Sequence, residues 1–194
     1  MKARLYLLLC SVFLACKAHS VCTSIEINGF YNRPDSSVLK KIYGSSWGGF
    51  EFGATVGSLY NLNFWIAQGV LQNDGYSLGG NQPTEITILP LTLGLKYILP
   101  WWSVQPYVGA APRIFFVQIR NNSKYVKPKE DFTAVGGGFR GGFYFFFHPN
   151  MLANVYVDYS LGKKHFSGVT TNNVIRHSLN LNSLSVGGGL GVAF

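Results

Sequence analysis

Charge is scarce in this chain, and so are long apolar runs. Only 12% of its 194 residues are Asp, Glu, Lys or Arg, against about 25% in soluble domains. Beyond residue 20 no apolar stretch approaches the roughly 20 residues that a membrane-spanning helix needs. Yet the composition is 47% hydrophobic and 15% aromatic. That is too apolar for an ordinary water-facing surface, and no helix is available to cross a bilayer. In lipid every backbone polar group must be paired inside the protein, so with helices excluded a closed β-barrel is what remains.

Cysteine is nearly absent as well. Cys10 and Cys16 fall in the first 20 residues, which leaves Cys22 alone and excludes an internal disulfide in the rest. No His/Cys or His/carboxylate group has metal-ligand spacing: His148, His165 and His177 fall in expected turns or loops. No cofactor is expected.

The start of the chain reads as an export signal. Lys2 and Arg4 precede an apolar run from Leu5 to Ala15, interrupted only by Ser11, and Ala18-His19-Ser20 offers small residues for cleavage. A signal peptide is expected over 1–20 and a single barrel domain over 21–194. Cys16 after Phe13-Leu14-Ala15 leaves a lipoprotein alternative, disfavoured by Phe at the first position of that motif.

What is abundant is alternation at period two, the signature of a strand with two unlike faces. Leu184, Val186, Gly188, Leu190, Val192 and Phe194 fall opposite Ser183, Ser185, Gly187, Gly189, Gly191 and Ala193. In 47–59, Phe50, Phe52, Ala54 and Val56 oppose Glu51, Gly53, Thr55 and Gly57. The same holds in 85–98, 104–119, 132–147 and 151–162. It is weaker in 61–72, where Gln68 sits on the apolar face, and weaker again in 23–32. Eight strands are therefore expected, as an all-β, antiparallel, up-and-down transmembrane barrel.

The expected connections alternate in length. Segments 33–46, 73–84, 120–131 and 163–177 are long and polar, while Ser58–Asn61, Pro100–Ser103 and His148–Asn150 are short. Outer-membrane barrels have short periplasmic turns and long external loops, and an even strand count puts both termini on the periplasmic side. Tyr60, Trp101, Trp102 and Phe145 to Phe147 lie at or beside the short turns, at the level amphipathic rings favour. The alternative is that they are core aromatics of a soluble domain.

A soluble lipocalin-like barrel would also alternate, with its apolar face inside. Here the polar face carries Glu51, Lys96, Arg113, Arg140 and Asp158 among Gly, Ser, Thr and Tyr. Eight strands enclose little volume. A cramped interior suits Gly and interlocked polar groups better than stacked Phe and Leu, so these five residues are expected to form a lumen network. A hairpin turning around Pro149 brings Arg140 opposite Asp158 as a cross-strand ion pair, with Glu51 and Arg113 joining it. Such a plug leaves no wide channel, so no general porin is expected.

These features resemble a known group. Ile88-Leu89-Pro90-Leu91-Thr92-Leu93-Gly94-Leu95-Lys96-Tyr97, followed by Gln105-Pro106-Tyr107-Val108-Gly109-Ala110, is similar to the paired central strands of the small bacterial outer-membrane barrels of the OmpX/OmpW/OmpA-like superfamily. Phe30-Tyr31 to Pro34-Asp35, then Ile42-Tyr43-Gly44, resembles their first strand and loop. Leu190, Val192 and Phe194, in Leu190-Gly191-Val192-Ala193-Phe194, resemble the terminal signal read by the barrel-assembly machinery. The resemblance implies export with periplasmic chaperones and insertion by that machinery. It also implies contact with outer-membrane lipid and lipopolysaccharide. It says little about activity. Ala111-Pro112 departs from the Gly-rich continuation usual there, and a strand proline suggests a local bulge.

Two motifs suggest chemistry. Gly136-x-Gly138-x-x-Gly141 has dinucleotide-loop spacing, but Phe143 to Phe147 follows where a helix is required. His165-Phe166-Ser167 resembles the His-x-Ser of lipid A deacylases of the PagL type. No Asp or Glu follows Asp158, so the orienting acid is missing downstream. Asn121-Asn122-Ser123 fits a glycosylation sequon and reads as a loop. An enzyme is not expected.

Net charge points to the loops. The chain carries +8, of which Lys2, Arg4 and Lys17 account for three. By the boundaries above the long loops carry +2, −1, +2 and +3. The basic residues singled out there are Lys40, Lys41, Arg120, Lys124, Lys127, Lys129, Lys163, Lys164 and Arg176. One reading is contact with anionic lipopolysaccharide; the sharper one is adhesion to host or other extracellular polyanions such as heparan sulfate. Nucleic acid is not expected as a partner of an exported protein. Three classes stay open: a structural or adhesive surface barrel without catalysis, a small channel or carrier for hydrophobic solutes as in the OmpW group, and a lipid A-modifying enzyme.

Overall fold

Alternation along the strands dictates a wall with two faces, and the computed structural model has that wall closed on itself. It describes residues 23–77, 82–101, 103–122, 128–170 and 173–194, with the backbone alone at 58–59, 165–170 and 173–177. The elements are β1 (Thr23–Pro34), α1 (Ser37–Tyr43), β2 (Trp47–Leu59), β3 (Leu62–Tyr76), β4 (Pro83–Ile98), β5 (Val104–Asn121), β6 (Lys129–His148), β7 (Met151–Thr170), β8 (Asn173–Asn180) and β9 (Ser183–Ala193). Each of β1 to β7 pairs antiparallel with the next, β7 pairs with β9, and β9 returns to β1. Eight strands thus form a closed up-and-down barrel with no free edge in the ring. Among the described residues no helix is long and apolar enough to cross a membrane.

The faces sort as the alternation dictates. Phe50, Phe52, Phe64, Ile66, Leu93, Phe139, Val157, Val186 and Leu190 stand exposed on the outer wall. Glu51, Thr55, Lys96, Arg113, Arg140, Asn154 and Asp158 are buried inside. Segments 23–32 and 61–72, weaker in pattern, alternate just as strictly. Tyr60 and Asn61, at φ 55° and 69°, make the two-residue left-handed turn that fits a hairpin's twist.

Four expectations are corrected. The long loops are shorter than expected, because the strands run on above the apolar wall. β3 reaches Tyr76, β4 starts at Pro83, β5 ends at Asn121 and β6 starts at Lys129. Segment 163–177 is no loop: Lys163 to Thr170 pairs with β8 as a projecting hairpin. Segment 33–46 holds α1, whose Leu39 and Tyr43 are buried in the barrel mouth. Finally, there is no bulge at Pro112. Thr92 pairs with Arg113 and Leu95 with Ala110, so the register is unbroken and only the ladder between them is interrupted.

The interior is layered rather than uniformly polar. Ile98, Tyr107, Tyr144, Leu152, Tyr156 and Ala193 cluster towards the turn end. Under α1 lies a second cluster that includes Leu39, Tyr43, Trp47, Ile86, Ile88 and Phe115. Here β4 and β5 carry apolar residues on both faces, since the inner one packs against the helix. A cavity of about 40 Å³, room for about two or three waters, is lined by Leu39, Trp47 and Phe115 together with Arg113, Asp158 and Ser185.

Candidate functional site

The lumen charges are organised by register. Arg140 on β6 and Asp158 on β7 are cross-strand partners, and Arg140 Nε donates to Asp158 Oδ2 at 2.9 Å. The two terminal nitrogens of Arg140 reach across to β2 and donate to both carboxylate oxygens of Glu51, at 2.6 and 2.7 Å. The Arg140 guanidinium lies 4.0 Å from the Tyr156 ring centroid and 4.4 Å from that of Trp65. Arg113 holds the other side of Asp158 at 2.6 and 2.5 Å and donates to Thr92 and Ser160. Bidentate pairs of this kind are the stronger, geometrically specific ones.

Lys96 lies in a separate nest. Its ammonium donates to Tyr144 OH at 2.6 Å and Thr55 Oγ1 at 3.3 Å, with the Trp65 and Tyr107 rings at 4.9 and 5.0 Å. Its counter-charge is Glu26, 3.6 Å away and absent from the sequence expectation. Glu26 accepts from Ser24, Thr55, Tyr144 and Asn154. With Glu26 included, three acids face three bases and the formal lumen charge is zero. The signal for it was Glu26 and Asn28 alternating with Ile25 and Ile27.

Glycine makes room for these side chains. A Cβ on Gly138 would run into the Arg113 guanidinium, and one on Gly142 would lie 2.7 Å from Tyr107 OH. On the outer wall, Gln68 has a local reason to interrupt the apolar face. Its amide donates to the Gly69 and Pro90 carbonyls at 3.0 and 3.3 Å, beside a gap in the β3–β4 ladder where Pro90 has no N–H to give.

Outside the lumen, every charged side chain among the described residues lies at the loop end. The tight-turn end has none; it carries exposed Tyr60, Trp101, Phe147 and Phe194. At the mouth, α1 is capped by Ser36 Oγ, which accepts from Leu39 N. Trp47 Nε1 donates to Gly44 O at 3.1 Å, and Tyr43 OH lies 3.1 Å from Thr84 Oγ1. Burial pushes the Tyr43 phenol up, opposed in part by that hydrogen bond. Hydrogen bonds from Lys129 and Gln118 hold the exposed Asp131 below the usual carboxylate range.

No protein-family model and no curated protein sequence matches the chain. Solved structures do. The outer membrane protein OprG from Pseudomonas aeruginosa superposes with a TM-score of 0.65 at 18% identity, over 91% of this chain and 98% of that one. The fold is that of the small outer-membrane β-barrels. Neisserial surface protein A has a TM-score of 0.62 at 16% identity, over 89% and 97%. Ail, the attachment invasion locus protein of Yersinia pestis, solved in complex with the heparin analogue sucrose octasulfate, has 0.50 at 13%, over 87% and 96%. At these identities the likeness is one of fold.

In this outer-membrane-type barrel, Leu190 and Val192 of the terminal strand face outward, as does Phe194 just beyond it. Lys40, Lys41, Arg120, Lys129, Lys163 and Lys164 are placed at the mouth. Residues 1–22, Trp102, Ser123, Lys124 and Lys127 lie outside the described residues, as do the side chains of His165, Ser167 and Arg176.

Proposed function

We propose that this is a non-catalytic barrel of a bacterial outer membrane whose basic outer end binds polyanions. Residues 1–20 direct export and are removed. Periplasmic chaperones and the barrel-assembly machinery deliver the chain, with Leu190, Val192 and Phe194 as the assembly signal. Both termini then face the periplasm, and lipopolysaccharide surrounds the loop end.

The observation that carries this reading is the segregation of charge. Among the described residues the lumen charges cancel, the turn end carries no charged side chain, and the loop end carries seven basic side chains against five acidic ones. A neutral, plugged interior offers nothing to an ionic partner, whereas a basic rim attracts anions over a distance set by ionic strength. The complex of Ail with sucrose octasulfate adds support, since a barrel of this fold can hold such a ligand. The test is titration of the refolded protein with heparin at low and high salt. Affinity should fall steeply as salt rises, and salt-indifferent binding contradicts the reading.

A second reading, carriage of a hydrophobic solute, is favoured by one observation, the apolar cluster beneath α1. Uptake of an alkane by cells expressing the protein separates it from the first, which predicts no uptake.

A further inference from the structure

The cavity under α1 has two unlike walls. Leu39 closes it from the helix, and Trp47, Leu71 and Phe115 line its apolar sides. Asn32, Ser183, Ser185 and the Arg113–Asp158 pair make the polar side. That polar side follows from register. Asn32 pairs with Ser185 across β1 and β9, and Ser185 with Asp158 across β9 and β7. Ser183 lies two residues nearer the mouth, opposite Ser160.

Most of these groups are already engaged. Arg113 holds Asp158, Thr92 and Ser160, and Ser185 Oγ donates to Asn32 Oδ1 at 2.8 Å. Two are not. Among the described residues no hydrogen bond engages Asn32 Nδ2 or Ser183 Oγ. Yet Asn32 is only 5% exposed and Ser183 only 8%. Buried polar groups are nearly always satisfied, so an amide donor and a hydroxyl left open on one cavity mark a ligand position. Water would satisfy these two groups but would find no partner at Leu39, Leu71 or Phe115. An apolar cavity with a few convergent polar groups suits an organic ligand better. A charged ligand is excluded. Arg113, Arg140, Glu51 and Asp158 are paired with one another, and a further buried charge would stand uncompensated.

We propose that the cavity takes the polar end of a short neutral amphiphile, one hydroxyl or carbonyl oxygen on an aliphatic chain. That oxygen accepts from Asn32 Nδ2 and hydrogen bonds with Ser183 Oγ. The cavity, about 40 Å³, holds little more than this end. The chain takes the place of the Leu39 side chain in the apolar cluster under α1. Leu39 lies in the first turn of α1, away from the end that Tyr43 and Trp47 hold by hydrogen bonds to Thr84 and Gly44. It can yield while that end stays docked. The proposal rests on the hydrophobic-solute reading above and adds a polar end with its two partners.

The test follows the Trp47 fluorine resonance of the full barrel, labelled with fluorotryptophan, in one detergent throughout. The probes are n-hexanol and n-heptane, matched in length and compared at equal concentration in the micelle. Every variant is checked for native heat-modifiable migration. Hexanol should move the resonance saturably, and heptane should bind roughly five-fold or more weakly, its end making no hydrogen bond. Ser183→Ala should weaken hexanol about five-fold and leave heptane unchanged. Equal affinity for the two probes, or an indifferent Ser183→Ala, overturns the polar end and leaves the hydrophobic-solute reading standing. A saturable shift in Leu39→Ala but not in the wild type overturns the claim that Leu39 yields. No saturable shift in either, even with the chamber enlarged, leaves the cavity to water and overturns both readings.

Discussion

Arg140 and Asp158 face each other across β6 and β7, and Arg140 links that pair to Glu51 on the far side of the barrel. One side chain thus ties three strands through the lumen. Asp158 is shared in turn with Arg113. Removing it leaves two buried guanidinium groups short of a partner, and breaking a buried pair in this way costs about 3–5 kcal/mol. Asp158→Ala should lower the urea midpoint of the detergent-folded barrel by the shift that corresponds to a loss of that order in unfolding free energy. An unchanged midpoint would show that the network adds nothing to stability.

Glu26 and Lys96 form the second charge pair, both almost wholly buried. Glu26→Gln alone strands the ammonium. Glu26→Gln with Lys96→Met removes both charges and should recover most of the lost stability, because a neutral pair leaves no uncompensated charge. Strict additivity of the two substitutions, measured by urea unfolding, would deny the coupling.

Much of this was legible because a barrel strand has only two faces. His148 pairs with Met151 across the turn, an irregularity between Phe146 and His148 then sets the register that puts Arg140 opposite Asp158, and alternation turns both inward. Glu26 escaped because its window is short and carries a single charge. The helix α1 left no periodic signal, since seven residues make barely two turns. The apolar chamber was hidden because Ile86, Ile88, Phe115 and Val117 put large residues on the inner face of strands whose outer face is also apolar. The Pro112 expectation erred by assuming that a missing donor must shift the register, when only the ladder opens.

The contact of α1 with β3 depends on Gly75, where a Cβ would lie 2.7 Å from the Ile42 carbonyl carbon. Gly75→Ala should loosen α1 and cost roughly 1–3 kcal/mol, the usual effect of overpacking. With fluorotryptophan labelling, the Trp47 fluorine resonance should move while that of Trp65 in the lumen stays. No movement at Trp47 would place α1 free of this contact.

Tyr43 gives the docking of α1 a pH dependence. Its phenol is raised by burial, so the docked state favours the protonated form. Docking should therefore be constant below the ordinary tyrosine value of 10.0 and weaken as pH climbs through the raised value. Tyr43→Phe should abolish this dependence in the Trp47 resonance. An identical high-pH change in Tyr43→Phe would assign it elsewhere.

Assembly should depend on the last residue. Deleting Phe194 should reduce the heat-modifiable, membrane-inserted fraction in cells while leaving refolding into detergent largely intact. Normal insertion without it would contradict a role for the terminal strand as a signal.

The central claim is that the apolar face of the wall meets lipid and the polar face does not. With Cys22 replaced by Ser, single cysteines placed in turn along 183–192 can be spin-labelled in bilayers and probed with oxygen and a water-soluble nickel complex. The account predicts oxygen accessibility peaking at Leu184, Val186, Leu190 and Val192 with minima at Ser183 and Ser185. Nickel access at the first set, or loss of the two-residue period, would contradict it.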